Sequence, residues 1–259
     1  MSKISRIVLV TAGGSGIGLA IAKHFAAQGC RVHICDIAQQ AIDDLKSELP
    51  DITATCADVS QVAQVDKVFD DLHSLYGGLD ILVNNVGIAG PTAAVEDIRV
   101  EDWENTINID LNSIFYVTRK AVPLLKKSKG NMINMSSSAG LFGFPLRSPY
   151  AAAKWAIIGL TKTWAMELGP HGVRVNAICP GSVNGPRIDR VIDSDAKTRG
   201  VSPQSIRDVY LRQNSLRVFV EAENIAETID FLCSKAAQHI TGQAIPIDGH
   251  TEGLSNWLD

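Results

Sequence analysis

One stretch constrains the fold more than any other. Ile7-Val8-Leu9-Val10-Thr11 runs into Ala12-Gly13-Gly14-Ser15-Gly16-Ile17-Gly18 and then into Leu19-Ala20-Ile21-Ala22-Lys23-His24-Phe25. The opening residues are apolar and largely β-branched, which suits a short buried strand. Glycines bend the chain, and the residues after them repeat apolar positions at three- and four-residue spacing, as a helix does. A strand passing through glycines into a helix N-terminus makes a phosphate site. Free backbone N–H groups and the positive end of the helix dipole face the anion, and missing Cβ atoms let it approach. A tight strand-to-helix turn also favours glycine, so the loop alone does not decide. The second signal is Val32-His33-Ile34-Cys35-Asp36, a strand ending in an acid about 20 residues past the loop, where ribose hydroxyls would lie.

Strand-like and helix-like segments then alternate. A helix is expected over Gln39 to Glu48, a strand over Ile52 to Ala57 closed by Asp58-Val59, and a helix through Val62, Val65, Val68, Phe69 and Leu72. Leu79 to Val83 is a central strand ending at Asn84-Asn85-Val86-Gly87. A long helix, continuous or interrupted, follows from about Glu101 to Lys127, then a strand over Gly130 to Met135, a helix from Tyr150 to Leu168, and strands over Val173 to Ile178 and Gln243 to Asp248. This alternation predicts an α/β fold: a Rossmann-type doubly wound parallel sheet in three α/β/α layers. With 259 residues, 46% of them apolar, the chain is expected to form one dinucleotide-binding domain over residues 1–259. The polar, arginine-bearing segment at about 185–223 breaks the regular alternation and reads as a lid with short helices over the ligand edge.

Composition excludes several function classes. A net charge of −4 argues against a general nucleic-acid or anionic-membrane surface. No apolar run reaches the roughly 18 residues of a spanning helix, and the N-terminus lacks a signal-peptide core. Cys30, Cys35, Cys56, Cys179 and Cys233 are scattered without metal-ligand spacing and read as reduced core residues. A soluble, cytoplasmic protein without a metal is expected.

The chemistry is carried by Tyr150-Ala151-Ala152-Ala153-Lys154, which puts a phenol and an ammonium on one helix face, a turn apart. A free phenol titrates near pH 10 and is a poor base at neutral pH. A neighbouring cation favours the phenolate, and a shift of about three units needs roughly 4 kcal/mol. Tyr and Lys at this spacing are common on ordinary helices, so Ser137 matters: it lies where the fifth strand meets the ligand edge. Which of Ser136, Ser137 and Ser138 points inward is open from composition alone.

Taken together in order and spacing, these elements resemble the short-chain dehydrogenase/reductase family in its compact form, over about Ser5 to Gly253. The resemblance implies that Tyr150 is the general acid/base, that Lys154 binds the nicotinamide ribose and acidifies the tyrosine, and that Ser137 orients the substrate oxygen. It implies cofactor contacts at Gly13, Ser15, Gly16, Ile17 and Gly18, at Asp36 for the adenine ribose, and at Asp58 and Val59 beside the adenine. Asn85 and Gly87 would border the cofactor, and Pro180, Gly181 and Val183 would lie near the nicotinamide. A carboxylate at Asp36 accepts ribose hydroxyls and repels a 2′-phosphate, and the loop offers no Lys or Arg to neutralise one, so NAD(H) is expected over NADP(H).

Three positions depart from the family pattern. Ala12 replaces the first loop glycine, where a small methyl is expected to preserve the turn. Asp110 stands where the family has a catalytic asparagine; a carboxylate only accepts unless protonated, and it can pair with Lys154 and alter the phenol. Gly185 replaces a threonine, with Ser182 or Asn184 as its substitute. The implied reaction is hydride transfer between nicotinamide and an alcohol or ketone. Phe142, Phe144 and Leu146 favour an apolar substrate, whereas Arg147, Arg187 and Arg190 favour a hydroxy acid or sugar acid, unless these arginines are ordinary solvated or paired surface residues. Apolar stripes around Trp103 to Leu125 and Tyr150 to Leu168 lead to an expected homotetramer. The competing readings are a catalytically weak dinucleotide-binding sensor, motivated by Asp110 and Gly185, and an extended-type epimerase or dehydratase, for which the chain has no room.

Overall fold

The computed structural model describes residues 5–254; residues 1–4 and 255–259 lie outside it. Among the described residues, strands β1 (Ile7–Thr11), β2 (Arg31–Asp36), β3 (Thr53–Cys56), β4 (Ile81–Asn84), β5 (Asn131–Met135), β6 (Arg174–Pro180) and β7 (Ala244–Ile247) form one parallel sheet in the order β3-β2-β1-β4-β5-β6-β7. The connecting helices are α1 (Gly16–Ala27), α2 (Gln39–Glu48), α3 (Val62–Tyr76), α4 (Val100–Ile107), α5 (Ser113–Ser128), α6 (Ser148–Leu168), α7 (Pro186–Arg199), α8 (Pro203–Arg212) and α9 (Ala222–Cys233).

The two-residue period of β1 shows why both faces of the sheet must be covered. Val8 and Val10 point into a cluster with Ile21 and Phe25 of α1, Ile42 of α2, and Ile225 and Ile229 of α9. Ile7 and Leu9 point the other way, against Val65 and Val68 of α3, Val117 and Leu125 of α5, and Leu168 of α6. Each such side chain, withdrawn fully from water, contributes roughly 1.5–3 kcal/mol. This is the doubly wound, three-layer arrangement expected from the sequence.

The strand order fixes the place of the site. β1 is flanked by β2 on one side and β4 on the other, so the chain reverses its direction of winding there. A crevice opens at the carboxyl ends of the strands beside such a switch. The glycine loop after β1, Asn85–Gly87 after β4, Ser136–Ser138 after β5 and Gly181–Val183 after β6 all emerge along that edge.

Two elements were read only in outline from the sequence, and one was not read. The helix expected over Glu101 to Lys127 is α4 and α5 joined through a π-helical turn at Asn108–Asn112. The polar segment after Gly185 folds into α7 and α8, with an apolar cluster of Ile192, Ala196, Ile206 and Tyr210 between them. The sequence reading did not include α9, which packs on α1 through Ile225, Ile229 and Leu232.

Candidate active site

The glycine loop is held from behind by its own backbone and by Asn85. Asn85 donates through Nδ2 to the carbonyls of Thr11 (3.1 Å) and Ala12 (3.2 Å), and through its backbone N–H to Thr11 Oγ1 (2.9 Å). Ala12 preserves the turn, as expected, by adopting a left-handed backbone with φ 51. Such a conformation strains any residue with a Cβ. Gly18 has no room for a methyl, since its Cβ would fall 2.0 Å from the Ala12 carbonyl oxygen and 2.6 Å from Asn85 Nδ2. Gly13 is likewise buried, its N–H bonded to the Cys35 carbonyl at 3.1 Å and its missing Cβ space taken by Ile34. Gly13 and Gly18 are required for close packing of the loop, and Ser15, Gly16 and Ile17 line the cleft.

Asp36, at the end of β2, accepts from the backbone N–H of Gly14 (2.9 Å) and of Ala38 (3.0 Å). No cation pairs with it among the described residues. Asp58 accepts from the Ser60 N–H at 2.9 Å, and Val59 is buried. These three residues extend the same sheet edge beside a cavity of about 370 Å³ that holds the remaining groups. A glycine-rich loop, a helix N-terminus and a carboxylate without an ion-pair partner one strand away fit the pyrophosphate and ribose of a dinucleotide.

Ser137, Tyr150 and Lys154 line one cavity with Ser15, Gly16 and Asn85. Burial and bonding distinguish the three serines. Ser136 is buried and donates to the Lys154 carbonyl at 2.8 Å, Ser138 is buried, and Ser137 is partly open. Ser137 Oγ accepts from the Ala139 N–H at 3.1 Å. Gly140 packs so closely that a Cβ would lie 2.5 Å from Ser136 Oγ and 2.7 Å from the Lys154 carbonyl. The strand end is thus tied to the helix through the Ser136 hydroxyl, with Gly140 packed directly on the helix backbone. Lys154 is buried; its Nζ donates to the Met135 carbonyl at 3.2 Å and lies 5.4 Å from the centre of the Tyr150 ring. Gly87 makes space for that ammonium, because a Cβ there would be 3.1 Å away.

Asp110 is carried inward by the π-helical turn and is fully buried. Its Oδ1 accepts from the Ile88 N–H at 2.7 Å, and Oδ2 lies 3.7 Å from Lys154 Nζ without a hydrogen-bond partner. Desolvation raises its pKa above the usual carboxylate range, opposed by the Lys154 ammonium and the Ile88 N–H. Asn108 and Asn112 bond to each other instead, at 3.2 Å.

On the far side, Pro180, Gly181 and Val183 line the cavity with Ser182 and Arg187. Gly185 has φ 132 and ψ 178, a backbone that excludes the β-branched threonine of the family pattern. Asn184 Nδ2 is held by Glu221 at 2.9 Å, which leaves Ser182 as the free hydroxyl of the two proposed substitutes. The feature that sequence reasoning missed is the burial of Arg147, which is only 5% exposed. Its place three residues before Tyr150, just ahead of the helix that carries the phenol, was the available signal.

Comparison with known proteins agrees with this geometry. The family model described as enoyl-(acyl carrier protein) reductase matches residues 11–251. A 3-oxoacyl-[acyl-carrier-protein] reductase of Thermotoga maritima is 35% identical over 249 residues, covering 94% of this chain and 96% of that protein. The chain belongs to the short-chain dehydrogenase/reductase family. Among solved structures, a variant of actinorhodin polyketide ketoreductase with NADPH superposes with a TM-score of 0.91 at 29% identity, covering 98% of each chain. NAD⁺-bound xylitol dehydrogenase superposes with a TM-score of 0.90 at 27% identity, covering 95% of this chain and 99% of the other. These family members are oxidoreductases of alcohol and ketone groups that use either nicotinamide dinucleotide, so the choice of dinucleotide and of substrate rests on this chain's own residues. No helix among the described residues is long and apolar enough to cross a membrane.

Proposed function

We propose that this chain is an NAD(H)-dependent oxidoreductase that moves a hydride between nicotinamide and a secondary alcohol or ketone, with Tyr150 as general acid and base. The observation that carries the reading is the convergence of Ser137, Tyr150 and Lys154 in one cavity with the glycine loop. Bound there, nicotinamide supplies the hydride for reduction and accepts it in oxidation. In reduction the Tyr150 hydroxyl donates its proton to the carbonyl oxygen; in oxidation the phenolate takes the alcohol proton. Because Ser137 Oγ already accepts from Ala139, its own proton is available to the substrate oxygen. The Lys154 ammonium, withdrawn from water, stabilises the phenolate more strongly than an exposed cation would.

Preference for NAD(H) is supported by the unpaired Asp36 carboxylate, which accepts ribose hydroxyls and opposes a 2′-phosphate. Helices α7 and α8 act as a lid over the substrate side. A homotetramer is supported by large apolar residues left in solvent on α4, α5 and α6: Trp103, Phe115, Trp155 and Met166.

Tyr150→Phe tests the assignment. NADH formation from an alcohol panel should fall by about 10²–10⁴-fold with NADH binding retained; turnover equal to the wild type removes the tyrosine from this role. A dinucleotide-binding sensor is the second reading, favoured by Asp110 beside the lysine. It predicts NADH binding with no turnover across the panel.

A further inference from the structure

The substrate side of the cavity holds an unbalanced positive charge. Arg147 is buried, and its Nη1 and Nη2 donate to Thr92 Oγ1 (2.6 Å) and the Ala89 carbonyl (3.0 Å), both neutral acceptors. Its Nε has no acceptor. Among the described residues no carboxylate lies within ion-pair distance. Asp195, which acts on it through space, is already bound by Arg199 Nε at 2.6 Å. The Phe144 and Tyr150 rings, centred 5.6 and 5.9 Å from the guanidinium carbon, offset only part of the desolvation cost. Desolvation accordingly lowers the Arg147 pKa.

A second cation makes the imbalance worse. Arg187, in the first turn of α7, is exposed, lines the same cavity and repels Arg147. It too has no ion-pair partner among the described residues. Three guanidiniums, those of Arg147, Arg187 and Arg190, line one cavity beside the reacting phenol. The acids that act on them through space, Asp195 on Arg147 and Asp110 on Arg187, are already engaged by Arg199 and by Ile88 and Lys154, so an entering anion would balance the remaining charge. Guanidinium recognises a carboxylate through paired N–H donors.

On the oxidoreductase reading above, we infer that the substrate carries a carboxylate that lies between Arg147 and Arg187 while its carbinol or carbonyl carbon faces Tyr150. The preferred substrates are therefore small hydroxy acids and the corresponding oxo acids. Oxidation sends the C–H hydrogen with its two electrons to NAD⁺ and the hydroxyl proton to Tyr150; the carboxylate is unchanged.

The test separates charge recognition from turnover. The enzyme–NADH complex is titrated calorimetrically with butyrate and with butyramide, which share a carbon skeleton and differ in charge. The wild type should bind butyrate at least about tenfold more tightly, as expected for a charge-assisted hydrogen bond. Arg147→Met should erase that ratio and Arg147→Lys should restore part of it. Arg187→Met, at an exposed position, should reduce the ratio independently and carries the test if an Arg147 variant fails to fold. Equal binding of acid and amide by the wild type overturns the inference. So does binding of neither, or a ratio that survives both Met substitutions. A butyrate preference that follows Arg147, with no hydroxy acid turned over, would instead sink the catalytic reading and leave the carboxylate site standing. Turnover of neutral alcohols without any butyrate preference would do the reverse.

Discussion

Asp110→Asn probes the electrostatics of the site directly. The substitution keeps the shape of the side chain and an acceptor for the Ile88 N–H, and removes a buried carboxylate 3.7 Å from Lys154 Nζ. That ammonium lies 5.4 Å from the Tyr150 ring centre, which places the carboxylate within about 9 Å of the ring. At an effective dielectric of about 20, a unit charge at that separation acts with about 2 kcal/mol, somewhat more than one pH unit. Loss of a negative charge favours the phenolate, so the acid limb of the pH–rate profile for alcohol oxidation should move down by about one unit. Stability supplies a second readout. Burial raises the pKa of Asp110, so the fold prefers its acid form. The stability this group contributes is present below the ordinary carboxylate pKa and is lost as pH rises through the raised value. Thermal melts should therefore show the wild type losing stability relative to the variant from about pH 4 upward. A rate profile that stays in place, or moves to higher pH in a folded variant, refutes the reasoning.

Three further substitutions have defined outcomes. Asp36→Asn removes the charge and keeps one of the two oxygens that accept from Gly14 and Ala38, so the ratio of kcat/KM with NADP to that with NAD should rise about tenfold or more; an unchanged ratio in a folded variant counts against the proposed dinucleotide preference. Ala12→Gly relieves a left-handed alanine at φ 51 and should stabilise the fold by roughly 0.5–1 kcal/mol in chemical denaturation. Phe115→Glu combined with Trp155→Glu, two half-exposed residues of α5 and α6, should reduce the mass seen by light scattering from a multimer to a smaller species.

Much of the molecule was legible because local pattern and tertiary role coincide. The strand–glycine–helix unit, the helix Gln39–Glu48 and the alternating strands follow from periodicity, and each appears where expected. Tyr150 and Lys154 share a helix face by spacing alone. What escaped depends on groups distant in sequence. The π-helical turn that swings Asp110 inward carries no signature in Asn108-Ile109-Asp110-Leu111-Asn112. The glycines of the first loop look alike in sequence, yet Gly13 and Gly18 are required by Ile34, Ala12 and Asn85, whereas Gly16 meets open space. Helix α9 carries apolar residues at helical spacing, Ile225, Ile229 and Leu232, but follows a polar segment that hides its start. The burial of Arg147 depends on the loop carrying Ala89 and Thr92 and on the rings of Phe144 and Tyr150, which only the folded chain assembles.

The apolar cluster of Ile192, Ala196, Ile206 and Tyr210 between α7 and α8 is separate from the two cores that grip the sheet. On the proposed function, exchanging residues there would reshape the substrate side of the cavity while leaving untouched the joint among Ser136, Gly140 and Lys154. A chain built this way could acquire new specificity by remodelling one detachable layer, with the groups proposed to move the proton inherited intact.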